Sequence, residues 1–137
     1  MPNKHLEHPE DLVLTGESWV VDAMFGQAKC SLKIDGAPAI VWGTLDGKFF
    51  VGTKSIFNKT PLINYTHADI SKNHPAGPGP KLHVALDHFK KLGIPGIWQG
   101  DLLYTSEDLS SDVIGGDKSI VFTPNTITYA VPYNTVM

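Results

Sequence analysis

The chain has 137 residues, 42% hydrophobic and 18% charged, which is one domain's worth of globular sequence and excludes a disordered class. No apolar run approaches the length of a membrane span, and a formal net charge of −3 argues against a general nucleic-acid-binding surface. All eleven basic residues are lysine, so any phosphate chemistry must rest on lysines, backbone N–H groups and metal rather than on a bidentate guanidinium.

Met1 to Glu10 is polar, without a signal-peptide core, and the single cysteine, Cys30, has no internal partner. Both features predict a reducing, cytoplasmic setting. His8-Pro9-Glu10-Asp11 reads as a helix start, with proline early and acids in the first turn. Leu12, Val13 and Leu14 follow, and Thr15-Gly16 breaks the run. Glu17 to Phe25 reads as a second helix with Trp19, Val20, Ala23 and Met24 on one side, closed by Gly26. Both helices are expected to cover one face of a sheet.

Consecutive antiparallel strands are expected over Lys29–Asp35, Ala39–Leu45 and Lys48–Thr53, with Asp46-Gly47 as a hairpin turn. The segment 54–59 leaves the hairpin carrying Lys54 and Lys59. Thr66, His67, Asp69 and Asn73 suggest one helical turn, and residues 74–80 form a Pro/Gly-rich loop. Lys81 to Leu92 is the clearest helix: Leu82, Ala85, Leu86 and Phe89 fall on one stripe, and Gly93 is a natural stop. A strand follows within 94–104, then an acidic, Ser-rich surface loop over 105–117. Strands at 118–123 and 126–131, joined through Pro124-Asn125, complete an α+β domain with a mainly antiparallel sheet.

The chemistry concentrates in the stretch from Cys30 to Gly43, where a polar corner carries Lys33, Asp35 and Gly36. A glycine there lets backbone approach a ligand, and flanking hydrophobics depress a lysine pKa so that its amine can attack. Alone, Lys-x-Asp-Gly is a short pattern that occurs by chance, and by itself it reads first as a strand-end lysine beside a turn. Lys54 and Lys59 have a solvated-loop alternative, Asp101 a turn alternative, and Trp42, Trp98, Phe122 and Tyr129 a core alternative. Six histidines (His5, His8, His67, His74, His83, His88) lack zinc-ligand spacing with cysteine, and His83 and His88 do not share a helix face.

Four stretches in order resemble the covalent nucleotidyltransferase superfamily of ATP-dependent DNA ligases, RNA ligases and mRNA capping enzymes. Lys33-Ile34-Asp35-Gly36 resembles its first motif, and Thr53-Lys54 sits where the family carries a Ser/Thr-Arg pair. Gln99-Gly100-Asp101-Leu102-Leu103 resembles its strand ending in glycine and acid, and Phe122 to Tyr129 its base-packing aromatic strand. The whole chain looks most like ligase-like proteins of tailed phages, including marine ones.

This resemblance implies a partial DNA-ligase-like α+β domain that binds ATP and Mg²⁺. Lys33 would be the catalytic nucleophile, and Asp35 and Asp101 ribose or metal ligands. Ser31, Gly36, Lys54, Asp101, Phe122 and Tyr129 would contact the nucleotide, Lys54 through phosphate and the aromatics through the base. Lys33, Lys54 and Asp101 would converge on one groove, and a nucleic-acid end would be the acceptor. The sequence departs from the pattern at Pro38, where the family has arginine, and at Ser31, which replaces an acid that reads the adenine amine; Lys54 stands for a second arginine. Ending at Met137, before the family's later glutamate-glycine and lysine motifs, the chain is expected to be a single domain, the truncated N-terminal part of an adenylation domain, inactive in transfer by itself. The alternative is a non-catalytic nucleotide- or protein-binding module.

Overall fold

The computed structural model describes residues 7–26 and 28–135, so His5 and the chain's last two residues lie outside it. The chain divides into two compact units, Met1–Lys33 and Ile34–Met137.

The first unit holds helices α1 (Pro9–Leu14) and α2 (Trp19–Phe25), close to the expected limits. Pro9 opens α1, and the Asp11 carboxylate accepts from the His8 backbone N–H at 3.3 Å, which occupies an otherwise orphan donor. Gly16, at φ +91°, turns the chain between the helices. Of the expected apolar side of α2 only Val20 is buried; Ala23 is exposed, and Trp19 and Met24 are 58% and 63% exposed. Beyond α2, residues 28–33 have no regular structure, so the strand expected over Lys29–Asp35 does not form. A strand requires a hydrogen-bonding partner, and none of the described strands pairs with this segment.

In the second unit β1 (Ala39–Leu45) pairs antiparallel with β2 (Lys48–Gly52) through Asp46-Gly47. Both turn residues are left-handed, at φ +49° and +76°, which is the primed turn that matches strand twist and favours an Asp-Gly pair. On its other edge β1 pairs antiparallel with β3 (Ile97–Asp101), giving the order β2-β1-β3. Alternation along these strands splits the core. Ile40 and Val51 face Ile70, Leu82 and Ala85, with Trp42, Phe49, Leu86 and Phe89 packed around them. Val41 and Phe50 face the other way, against Ile56.

Helices α3 (His67–Asn73) and α4 (Gly79–Phe89) supply the first of those layers. Thr66 caps α3: its hydroxyl accepts from Asp69 N at 3.2 Å, while the Asp69 carboxylate accepts from Tyr65 N and Thr66 N at 3.0 Å. Those bonds, the Thr66 side chain's first, lower the Asp69 pKa. The expected stripe of α4 is realised, with Leu82 and Ala85 fully buried. A 3-10 turn over Lys90–Leu92 follows, and Gly93 stops it at φ +61°. Buried Asn64 donates to Val51 O at 3.0 Å and accepts from Asn73 Nδ2 at 2.9 Å, so its amide stays satisfied.

A second antiparallel sheet has the order β4-β5-β6, from β4 (Ser110–Ile114), β5 (Asp117–Phe122) and β6 (Tyr129–Pro132). Strand β4 lies where a surface loop is expected. Every residue of it is exposed, so it has no apolar alternation to read, and Gly115-Gly116 forms its two-residue turn at φ +60° and +89°. The fold is α+β with antiparallel sheets, as expected. No helix among the described residues is long and apolar enough to cross a membrane.

Candidate functional site

Antiparallel pairing brings the start of β1 and the ends of β2 and β3 to one end of the first sheet. Ala39 lies opposite Asp101, and the ladder continues past both: Ala37 N donates to Leu102 O at 2.9 Å, and Leu102 N donates to Pro38 O at 3.0 Å. This docks Gly36 directly on β3. A Cβ on Gly36 would meet Leu102 O at 2.5 Å and the Asp101 Cβ at 2.9 Å. The sequence reading gives Gly36 to a ligand; the structure gives its open side to the β3 backbone, and Asp35 and Asp101 are thereby brought to one corner.

The second sheet ties into the same corner. Asp35 N donates to the Tyr129 hydroxyl at 3.1 Å. The Tyr129 ring stacks on Phe122 with centroids 5.6 Å apart, and Tyr104 packs on Phe122 at 4.9 Å. Phe122 is 1% exposed, so it takes the core role and backs Tyr129 instead of presenting a free face. On the opposite flank β2 leaves the ladder at Gly52, opposite Val41, so Thr53 and Lys54 belong to this end as well. The Thr53 hydroxyl accepts from Ser55 N at 3.2 Å and starts the 3-10 turn Lys54–Phe57, whose Ile56 is buried while Lys54 is exposed.

Asp35, Gly36, Asp101 and Tyr129 are therefore brought together, with Lys54 at the same end of the sheet and Phe122 behind Tyr129. Ser31 and Lys33 belong to the first unit, where both are exposed on a segment without regular structure, not in a half-apolar strand. Two exposed carboxylates at one corner suit a Mg²⁺ ion, which takes one or two carboxylates and completes its shell with water and phosphate oxygens.

A second cluster escapes the sequence reading. His67 Nε2 donates to Asp87 Oδ1 at 2.8 Å, and His67 Nδ1 meets His83 Nδ1 at 2.7 Å with the two rings stacked 5.0 Å apart. His83 and Asp87 stand four apart on α4, a helical-neighbour spacing that is visible in the sequence; their partner on α3 is not. The two partners sit on opposite nitrogens of one ring and do not converge on a point. No group of three or more His, Cys, Asp or Glu among the described residues is arranged to hold a metal ion.

A third group fastens α4 to the segment ahead of β4. Lys81 Nζ donates to the Asp108 carboxylate and to Thr105 Oγ1, and Asp108 also accepts from Thr105 N at 2.7 Å. The lysine first, then the Thr105 donors, hold the Asp108 carboxyl down to about 2.

Over residues 3–137 the chain matches the sequence pattern of DUF6267, a family of unknown function. The chain belongs to that family. No curated protein and no solved structure matches it.

Proposed function

We propose that this chain is a nucleotidyltransferase-like domain that binds ATP at the Asp35–Asp101 corner and, in full-length form, transfers AMP through a lysine phosphoramide to a nucleic-acid end. One observation carries the reading: Asp101, far along the chain, packs against the glycine that follows Asp35, with Lys54 at the same sheet end. Lys33, two residues before Asp35 in the chain, is the nucleophile. Its neutral amine forms a bond to the α-phosphorus as the bond to pyrophosphate breaks, and the amine proton passes to solvent. An oxygen nucleophile at a nucleic-acid end then displaces the lysine, which recovers its amine. Lys54 offsets phosphate charge, Asp35 and Asp101 orient ribose or hold Mg²⁺, and Tyr129 offers its ring to the base. Mg²⁺ supplies charge neutralisation on the phosphates. The setting is a reducing cytoplasm, that of the host if the gene is carried by a phage, where Cys30 remains a thiol.

A non-catalytic nucleotide- or protein-binding module is the second reading. The absence of arginine and the exposure of Lys33 on an irregular segment favour it. Incubation with ATP labelled at the α-phosphate and Mg²⁺, followed by a denaturing gel, separates the two. Transfer predicts label on the full-length form, abolished by Lys33→Ala and cut roughly a hundredfold by Asp101→Asn, the usual scale for one aligned group, with little or no label on residues 1–137 alone. Saturable ATP binding without label leaves the nucleotide-binding module, and no ATP binding at all ends both nucleotide readings.

A further inference from the structure

At the other end of the first sheet, a groove enclosing about 980 Å³ opens between the β1–β2 turn and α4. That volume is at the upper end of the range for small-molecule sites. Four aromatic rings line it among polar and aliphatic neighbours: Trp42 and Phe49 from the hairpin, Phe89 from α4, and Tyr65 ahead of α3. Trp42 and Phe89 pack at 4.8 Å with rings tilted by 59°, so the floor is preset, and Lys48 Nζ stands 6.0 Å above the Tyr65 ring.

The charge of the lining is one-sided. Lys48 and Lys90 reach it from β2 and from the end of α4, whereas Asp87 is the only acid among the described lining residues. Asp87 is already occupied by the His67 Nε2–H. The His67 Nδ1 meets His83 Nδ1 at 2.7 Å, so this wall residue has a partner at each ring nitrogen. The charge left for a ligand is lysine charge, over aromatic faces.

We propose that this groove is a binding site for a planar aromatic ligand carrying an anionic group, with the ring against Trp42, Tyr65 and Phe89 and the anion between Lys48 and Lys90. It does not rest on the nucleotidyl-transfer reading, because it shares no residue with the Asp35–Asp101 corner. Nucleoside monophosphates and aromatic carboxylates both carry this chemistry. Trp42 fluorescence in a Trp19→Phe/Trp98→Phe background reads the groove alone, and AMP and 1-naphthoate serve as the two probes. A saturable change with at least one of them is expected, and the stronger probe tells which source fits. Uncharged adenosine or naphthalene should bind at least tenfold more weakly than its charged counterpart. Lys48→Gln/Lys90→Gln should weaken the charged probe tenfold or more with the urea midpoint unchanged, while Asp101→Asn should leave it unaltered. Failure of both probes to change Trp42 emission, or equal affinity in the double lysine variant, overturns the site.

Discussion

The two ends of the β2-β1-β3 sheet are built from different materials. The end holding Asp35, Gly36 and Asp101 is a backbone construction: two loop-to-strand hydrogen bonds and a glycine with no room for a Cβ hold the segment after Asp35 against Asp101. The turn end is a side-chain construction, with aromatics and lysines from β1, β2 and α4 around an open groove. A backbone-built site tolerates little at its glycine. A side-chain-built site can lose one contact at a time.

The broadest way to break this contrast is to damage what the two ends share. Phe50 is fully buried in the middle of β2, and Phe50→Ala should cost about 3–5 kcal/mol. Urea unfolding with both ligand assays should show both ends failing together; loss at one end alone would mean that the sheet is not their common support. Gly36→Ala tests the corner by itself. Its new methyl meets backbone at 2.5 Å, so a loss of about 1–3 kcal/mol is expected, with ATP binding impaired and the groove's probes unaffected.

Thr66→Ala acts at the groove end. It removes the cap of α3, the helix that places His67, and should cost about 1 kcal/mol while ATP binding persists. The smallest effect belongs to Asp108, whose exposed pair with Lys81 is worth about 1 kcal/mol or less. Its carboxyl is depressed in the folded state, so the contribution is present above the unfolded carboxylate value and fades as pH falls toward about 2. Asp108→Asn should lower the urea midpoint at pH 7, and the gap from the parent should close by pH 2. A gap constant with pH would remove the charge from that account.

Legibility followed the same divide. The Asp46-Gly47 turn, β1 and the stripe of α4 could be read because turn chemistry and helical period are local signals. The segment 29–35 carries strand-like residues, yet a strand depends on an available edge, which no local pattern reports. Strand β4 was illegible for the opposite reason: it is paired but exposed throughout, so only Gly115-Gly116 marks it. At the corner, the residues Asp35, Gly36 and Asp101 were legible as a set, but the reason for the glycine was not, since it depends on how closely β3 passes. The groove was not legible at all, because its lining is drawn from elements brought together only by tertiary packing.

The central claim is that the Asp35–Asp101 corner seats the nucleotide. Amide NMR titration of Lys48→Gln/Lys90→Gln with ATP and Mg²⁺ tests it with the groove silenced. The account predicts saturable shifts at Gly36, Asp101 and Leu102, lost in Asp101→Asn, with Gly47 and Gly93 unmoved. Shifts confined to the turn end, or none at the corner at saturating ATP, would contradict it.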